Sequence, residues 1–277
     1  MSQKDQGIVH KTSDVLSFYG LSNKGLFYYE EKGLIAPKRT DGGNYRIYTL
    51  QETTRLHRCR IFREFGFSVE ESVQLTEHCS AEELCGAFSK RTQEIEREIM
   101  RDRLYMEELA KNIEIIRRIG EGDVPYERML RPAMYRMSMR DIEKPYGKKE
   151  RAAYQLWSDM LPVAAASLMF DWERVDLNEP ELPLNLGFII DCDSAEKMNA
   201  VLPDYAYCLE QIPCVYTVIC GEDDRLNETQ RIRPAAEKIA QMGLRICGNP
   251  VTKMLATFDI GQGMQRFDHA WFPVEEK

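Results

Sequence analysis

Apolar and polar residues recur at helical spacing in the first part of the chain. In KTSDVLSFYG, residues 11–20, Val15, Leu16 and Phe18 are the apolar positions, Thr12 or Ser13 is the expected cap, and Gly20 is the expected stop. Ser22 then caps a second segment that runs through GLFYYEEK to Gly33. Two short helices joined by a tight turn predict a helix-turn-helix.

The next residues predict a hairpin followed by two capped helices. In TDGGNYRIYTL, residues 40–50, the DGG triplet tolerates positive φ and YRIY is prone to form a strand, which is the pattern of a β-hairpin. Thr49 is placed to cap the amphipathic helix LQETTRLHRCRIFREF, and Gly66 is placed to end it. Ser68 and Glu71 then stand in capping-box order before another helix.

A long uninterrupted helix is predicted from residue 81 to about residue 120. One set of positions steps by four and three residues with charges between them: Ile95, Ile99, Asp102, Met106, Leu109, Ile113 and Ile116. Such a heptad seam, broken once by an aspartate, predicts a partner helix and therefore a dimer. The alternative is a long helix packed on its own domain.

Beyond the glycine-rich stretch GEGDVP, residues 120–125, the pattern repeats. The first half reads as strand PAMYRMSM, a helix over about 148–170, strand LGFIID and strand YAYCLEQI. The second half reads as strand CVYTVICG, a helix over about 228–242, strand VTKMLATFD and strand FDHAWFPV. The expected body is a duplicated β-α-β-β domain with a concave surface between its halves.

The predicted fold class is therefore α+β, with four successive regions. They are a winged helix-turn-helix over 1–80, a dimerisation helix forming an antiparallel coiled coil over 81–120, a linker over 121–130, and the β-α-β-β domain over 131–277.

The charge distribution is uneven. The net charge is -8, yet residues 1–63 hold eleven Lys and Arg against six Asp and Glu, so that this region is +5 and the remainder is -13. This asymmetry predicts a head that faces nucleic acid on an acidic body. No stretch has the length of apolar sequence needed to span a bilayer, and the N-terminus lacks a secretory pattern, so the expected location is the cytoplasm without a membrane partner.

The candidate DNA-contacting residues lie in the helix-turn-helix and the hairpin. The N-terminal turn of the second helix would enter the major groove, so Asn23 and Lys24, which follow the cap Ser22, are candidates for base edges or nearby phosphates. The candidate phosphate contacts are Lys38, Arg39, Tyr45, Arg46 and, on the following basic helix, Arg55. A solvated charged face is the alternative for any one of these residues, but their succession favours DNA.

Three consecutive aromatic residues in GLFYYEEKGLI, residues 25–35, are expected to differ in role. At about 100° per residue, Leu26 and Tyr29 share a buried face, and Tyr28 points nearly opposite Leu26. Tyr28 is therefore the expected DNA-facing aromatic residue, and Tyr29 is expected mainly in the core.

Residues from about Thr12 to Leu75 resemble the winged helix-turn-helix of the MerR family of transcription regulators. The resemblance rests on the tyrosine pair, the Gly-Leu after the helix, and the Tyr-Arg-x-Tyr of the wing, and the long helix extends it to about Ile119. Phe27 stands where the family usually has a basic residue. The resemblance implies a homodimer on promoter DNA that activates RNA polymerase indirectly, by bending and untwisting the DNA when an effector binds.

The identity of the effector is left open by two further patterns. The eight cysteines include no CxxC, and Cys79 and Cys85 are retained as a candidate soft-metal or redox pair, near the position where metal-sensing relatives hold a cysteine. The loop GEGDVPYE has neither Cys nor His, so these elements supply no complete thiolate site. No metal or other cofactor is expected.

The body resembles the GyrI-like effector domain of multidrug-sensing MerR regulators over about 131–274. This resemblance implies an aromatic pocket for a small aromatic or amphipathic molecule, for which the candidates are Tyr146, Trp157 and Trp271. Strand alternation places Phe267, His269 and Trp271 on one face of the last strand and Ala270 and Phe272 on the other.

The pocket glutamate usual in that family is missing here. Thr252 or Lys253 stands in its place, and a cationic ligand would then use ring faces or another acid, such as Asp191 or Asp259. A neutral ligand or an anionic one, which Lys253 would suit, is equally open. Some GyrI-like domains hydrolyse small molecules, but no nucleophile with a base and an orienting partner stands out, so no catalytic residue and no enzyme activity are expected.

Overall fold

In a computed structural model, the described residues are 9–40, 45–141, 147–261 and 263–277. The chain divides into two compact units, Met1–Arg97 and Glu98–Lys277. Among the described residues, no helix combines the length and apolar character needed to cross a bilayer.

The N-terminal unit holds a helix-turn-helix and a small sheet. Its helices are α1 (Thr12–Tyr19), α2 (Asn23–Glu31), α3 (Leu50–Glu64) and α4 (Val69–Glu77). Its strands, β1 (Val9–Lys11), β2 (Lys38–Arg39) and β3 (Arg46–Thr49), are ordered β1-β3-β2. The predicted hairpin is confirmed in β2 and β3, whose turn, 41–44, lies outside the described residues. The pairing of β1 with β3 was not predicted.

Capping residues fix the helix boundaries as the sequence predicted, with one exception. Gly20 ends α1 with φ 61°, a left-handed conformation that costs glycine little. The Ser22 hydroxyl accepts the Gly25 N–H, and complete capping boxes begin α3 at Thr49 and α4 at Ser68. The exception is α1, whose cap is Lys11 rather than Thr12 or Ser13, because both of these residues are already helical.

One helix, α5 (Ala81–Gly120), covers the range predicted for the long helix. Within the C-terminal unit it has two apolar faces. Leu104 and Ile119 are buried, and Ile115 packs with them against the sheet of that unit. The predicted heptad seam lies on a different face, where four of its apolar side chains are exposed: Ile99, Met106, Leu109 and Ile113.

An antiparallel sheet organises the C-terminal unit, with nine strands among the described residues. The strands are β4 (Tyr126–Leu130), β5 (Met134–Asp141), β6 (Ala165–Phe170), β7 (Leu184–Asp191), β8 (Tyr207–Leu209), β9 (Pro213–Gly221), β10 (Leu244–Ile246), β11 (Val251–Asp259) and β12 (Met264–Glu276). They are ordered β4-β9-β12-β11-β6-β7-β5-β8, and β10 pairs with β12. The helices of this unit, beyond α5, are α6 (Lys148–Ser158), α7 (Cys192–Lys197) and α8 (Arg233–Gln241).

Two boundary predictions for this unit were wrong. The predicted helix over about 148–170 ends at Ser158, and its last residues form β6, because AASLMF pairs in register with β7. Residues 126–130, predicted as linker, form β4 on the edge of the sheet beside β9. Both segments are short, and tertiary pairing rather than local periodicity decides their conformation.

The sheet has the same strand order on either side of the β6–β11 contact. Moving outward, β6 is followed by β7 and β5, and β11 is followed by β12 and β9. Each trio, with α6 or α8, reads β-α-β-β along the chain. This order agrees with the duplicated pattern, although the duplication itself stays a prediction.

The two faces of β12 separate two parts of the core, as strand alternation predicted. Ala270 and Phe272 pack in the cluster beneath α8, which includes Ile232 and Ile239. Phe267 and Trp271 belong to the cluster on the opposite face. That second face carries the cavity described below.

Candidate DNA-binding surface and effector cavity

The N-terminal turn of α2 is capped and exposed. Ser22 Oγ accepts the Gly25 N–H at 3.1 Å, and Asn23 and Lys24 are exposed in the first helical turn. Backbone N–H groups at a helix N-terminus, together with these side chains, suit contact with phosphates and base edges. Leu26 is buried and Tyr29 packs against the same core, as predicted.

Tyr28 lies on the other side of α2, in contact with α4. Its hydroxyl donates to Glu70 Oε1 at 2.5 Å, and Lys32 Nζ lies 3.0 Å from the same oxygen. The Lys32 ammonium also lies 5.2 Å from the centre of the Tyr28 ring. The hydrogen bonds from Tyr28 and Lys32 lower the pKa of Glu70 to about 2. The Tyr28 hydroxyl is therefore already hydrogen-bonded to a carboxylate within the domain.

Arg46 connects the hairpin to α2. Its Nε lies 3.3 Å from Glu30 Oε2, and its guanidinium lies 4.2 Å from the centre of the Phe27 ring. Glu30 also accepts a hydrogen bond from the Tyr48 hydroxyl at 2.9 Å. Phe27, which replaces a basic residue of the family pattern, thus supplies a stacking surface for Arg46. These contacts orient the outer end of the guanidinium.

The remaining candidates lie on the hairpin and on α3. Lys38 and Arg39 are exposed on β2, and Tyr45 is 78% exposed beside the turn. The Thr40 N–H donates to the Tyr45 carbonyl at 3.0 Å and closes the hairpin. Arg55 is paired with Glu77 at 3.4 Å, a contact between α3 and α4. The structure therefore gives Arg55 a packing role in addition to the predicted one.

The C-terminal unit contains a cavity of about 620 Å³ between α5 and the sheet. Its lining includes residues of α5, β4, β5, β7, β9, β11 and β12. They are Glu108, Lys111, Asn112, Glu114, Ile115, Glu127, Met129, Pro132, Met134, Ile189, Asp191, Asp193, Tyr216, Lys253, His269 and Trp271. A cavity of this size suits a small organic molecule.

One of the three predicted pocket aromatic residues lines this cavity. Trp271 is 7% exposed and stands beside Tyr216, with ring centres 5.7 Å apart. Its indole Nε1 is buried and has no hydrogen-bond partner among the described residues. Trp157 is instead fully buried in the core against Phe188, and its predicted role in ligand binding stays a prediction. Tyr146 lies outside the described residues.

His269 lies between Tyr216 and α5 with both ring nitrogens hydrogen-bonded. Its Nδ1 is 2.8 Å from the Tyr216 hydroxyl, and its Nε2 is 3.3 Å from Asn112 Oδ1. Burial is the main cause that lowers the pKa of His269 to about 4. The positive charges of Lys253 and Lys111 lower it further. A neutral imidazole then donates from Nε2 to Asn112 and accepts at Nδ1 from Tyr216. With both nitrogens engaged, His269 offers no free base to a substrate.

Lys253, one of the two residues predicted at the position of the GyrI-like glutamate, lines the cavity. Its Nζ lies 2.5 Å from Glu108 Oε1 on α5, and both side chains are nearly buried, at 10% and 12% exposure. Thr252 points to the other face, where its hydroxyl accepts the Leu168 N–H at 2.9 Å. Of the two alternatives left open by the sequence, only Lys253 lines the cavity.

Of the two acids proposed as substitutes, one lines the cavity. Asp191 does, and it also caps α7 by accepting the Ser194 N–H at 2.8 Å. Asp259 instead binds the backbone N–H groups of Gly261 and Gly263 in the turn before β12.

A second cavity of about 550 Å³ shares part of its wall with the first. Glu108 and Asn112 line both cavities, and the second wall also includes Tyr154, Phe188 and Arg266. Sequence reasoning missed the contribution of α5 to either cavity. The available signal was the spacing of Leu104, Ile115 and Ile119, a second apolar face that a single heptad seam does not explain.

A family model described as "MerR HTH family regulatory protein" matches residues 11–79. The N-terminal unit carries a MerR-family helix-turn-helix domain. The match includes α1 to α4 and the hairpin, and therefore every candidate DNA contact named above.

Curated relatives share this MerR-family domain. The chain is 43% identical over 63 residues to the transcriptional regulator CueR of Escherichia coli O157:H7, which is 23% of this chain and 47% of CueR. It is 47% identical over 57 residues to the transcriptional regulator HmrR of Rhizobium leguminosarum bv. viciae, which is 20% of this chain and 43% of HmrR. The chain thus spans about half the length of these relatives.

Solved structures resemble the chain at low scores. An EcmrR–DNA complex matches 97% of this chain and 100% of EcmrR at 18% identity and a TM-score of 0.38. A hydrolase encoded by lin2189 from Listeria innocua matches 54% of this chain and 91% of that protein at 14% identity and a TM-score of 0.34. Neither score supports a functional inference.

The two cysteines proposed as a thiol site are not joined by a described contact. Cys79 follows α4, where its thiol donates to the Ser80 carbonyl, and Cys85 is exposed on α5. No group of three or more metal-ligating side chains occurs in the part of the chain that the structure describes. The thiols that do approach one another are Cys192 and Cys208, with sulfur atoms 3.9 Å apart.

Proposed function

We propose that this protein is a transcription regulator that binds promoter DNA through its MerR-family domain and responds to a small molecule in its C-terminal unit. The observation that carries the first part is the family match over residues 11–79, which contains the capped, exposed N-terminus of α2. The basic balance of residues 1–63 agrees with a polyanionic partner.

The proposed DNA contacts have two kinds. The first turn of α2, with Ser22, Asn23 and Lys24, would enter the major groove and contact base edges and adjacent phosphates. The hairpin would contact phosphates through Lys38, Arg39, Tyr45 and Arg46. Phe27 and Glu30 support Arg46 from α2, so the hairpin contact and the groove contact are mechanically linked.

The exposed stripe of α5 supports a homodimer. Ile99, Met106, Leu109 and Ile113 are 47–70% exposed along one face, and an antiparallel copy of the helix would cover them. A two-fold dimer presents two α2 helices to two half-sites. Activation would follow if the bound effector changed how the dimer distorts the DNA between them, which would then act on RNA polymerase indirectly.

The cavity supports control by a small aromatic or amphipathic molecule. Trp271, Tyr216 and His269 form an aromatic wall, and α5 supplies the opposite side through Glu108, Asn112 and Ile115. Because α5 also carries the stripe, a molecule that moves α5 against the sheet would act on the dimer. This is the proposed connection between effector and DNA.

DNA binding is tested with the full-length protein, a two-fold-symmetric duplex and an unrelated duplex over a range of salt concentrations. Arg46→Ala is expected to weaken both complexes by the same factor and to reduce the salt slope by about 1, since one phosphate contact is lost. Arg128→Ala, which removes an exposed guanidinium from β4, is the matched control and is expected to leave both complexes unchanged. A change of base preference in Arg46→Ala would contradict the phosphate role.

A further inference from the structure

Three side chains of α2 and its C-terminal cap that can donate hydrogen bonds lie in a row. Lys24, Tyr28 and Lys32 follow one another at intervals of four residues, which places them on one face of the helix. Lys24 belongs to the exposed first turn that is proposed to enter the major groove, and Lys32 directly follows the last helical residue. The face that carries the proposed groove contact therefore continues to Tyr28 and Lys32.

A carboxylate from α4 binds the two donors at the C-terminal end of this row. Glu70 Oε1 accepts a hydrogen bond from the Tyr28 hydroxyl at 2.5 Å and lies 3.0 Å from Lys32 Nζ. The side chains of Lys32 and Glu70 are 36% and 58% exposed, so a solute can reach this ion pair. A DNA phosphate is also an anionic oxygen acceptor, and it binds the same kinds of donor, a lysine ammonium and a tyrosine hydroxyl.

The cap of α4 does not depend on Glu70. Ser68 and Glu71 form that cap, in which each side chain accepts the backbone N–H of the other residue. The hydrogen bonds from Tyr28 and Lys32 lower the pKa of Glu70 to about 2, so this carboxylate is ionised at neutral pH. A charged acid that the cap does not need thus lies against the face proposed to contact a polyanion.

We propose that Glu70 occupies the place of a DNA phosphate and competes with DNA for Tyr28 and Lys32, which weakens binding to every duplex. This inference rests on the proposed DNA contacts of α2 and adds a residue of α4 that opposes them. Phosphate contacts carry no sequence information, so the competition affects a specific site and an unrelated duplex alike. Glu70 therefore limits how tightly the domain binds DNA of any sequence.

The test measures the affinity of the full-length protein for a two-fold-symmetric duplex and for an unrelated duplex at one salt concentration. Glu70→Gln keeps an oxygen that can accept from Tyr28 but removes the charge that holds Lys32. This variant is expected to bind both duplexes several-fold more tightly than the parent protein, by the same factor. Glu82→Gln removes one carboxylate from an exposed position at the start of α5, and this matched control is expected to leave both affinities unchanged.

A double-mutant cycle separates competition for the donors from general repulsion between Glu70 and DNA. In Tyr28→Phe/Lys32→Met both donors are removed, so Glu70 has nothing for which to compete. Adding Glu70→Gln to that background is expected to change the affinity no more than Glu82→Gln does. A gain as large as in the parent background would overturn the competition.

The sign of the effect distinguishes competition from a merely structural role. If Glu70 served only to hold α2 against α4, Glu70→Gln would lower the midpoint of thermal unfolding and weaken both complexes. Weaker or unchanged binding by Glu70→Gln would overturn this inference alone, since the parent protein would still bind DNA. If the parent protein bound neither duplex, the proposed DNA-binding function and this inference would both be overturned.

Discussion

At the scale of single residues, His269 shows how burial alters chemistry. The side chain is 8% exposed, and burial with Lys253 and Lys111 lowers its pKa to about 4. In an unfolded chain the pKa is about 6.5. At a pH between about 4 and about 6.5, the His269 side chain is therefore protonated in the unfolded chain and neutral in the folded protein.

Stability is therefore expected to fall as pH drops from about 6.5 to about 4 and to be insensitive to His269 above that range. The full loss is on the order of 3 kcal/mol in the free energy of unfolding, from about 1.4 kcal/mol for each pKa unit. His269→Gln keeps a donor and an acceptor but does not titrate. Urea unfolding of both proteins at pH 4.5, 5.5 and 7 gives the difference, and parallel pH curves would contradict the assignment.

At the scale of elements, α5 serves two surfaces at once. Residues Leu104, Glu108 and Ile115 face the sheet of the C-terminal unit, whereas Leu109 and Ile113 lie on the exposed stripe. A helix with a single apolar face could either pack on the sheet or present the exposed stripe, but not both. The second face makes α5 the element through which cavity and stripe can influence each other.

A charge in the stripe is expected to separate the dimer. Leu109 is 56% exposed, so Leu109→Glu costs the folded protomer little, but it places a carboxylate in the proposed helix pair. Sedimentation equilibrium should then show a monomer where the parent protein is a dimer. Gln93→Glu adds the same single negative charge at an exposed position about 160° around α5 from Leu109 and is expected to leave the dimer intact. Two dimeric variants would exclude this stripe as the interface.

At the scale of the whole molecule, charge is unevenly distributed along the chain. Residues 1–63 carry a net charge of +5, whereas the remaining residues, which include the C-terminal sheet and its cavity, carry -13. Joined as a two-fold dimer, two such heads would bind DNA at a fixed separation. Only the dimer fixes this separation, because a single head contacts one half-site.

Binding is therefore expected to depend on the spacing of two half-sites. Insertion of five base pairs between the halves of a bound operator turns one half to the opposite side of the duplex, and the parent protein should bind far more weakly in a mobility-shift assay. The monomeric Leu109→Glu variant should bind both duplexes equally and weakly. A parent protein indifferent to the insertion would bind as independent monomers.

The sequence by itself determined most helix boundaries of the N-terminal domain, although not the cap of α1 or the pairing of β1 with β3. Ser22, Thr49 and Ser68 cap the helices predicted from them, and Gly20 adopts the left-handed conformation expected of a helix stop. These features are local, because a cap involves residues three or four positions apart. The assignment of β12 side chains to two faces was likewise predictable from the sequence, since successive side chains in a strand point to opposite faces.

Only the tertiary structure decided the cavity. Trp157 and Trp271 are both large aromatic residues in predicted elements, yet one is enclosed by the core and the other lines the cavity, a difference set by strand order and not by local pattern. The same holds for β4 and β6, which exist because partner strands lie beside them. The pairing of Lys253 with Glu108 joins residues that are distant in the chain, and long-range pairs of this kind have no signature in a single sequence.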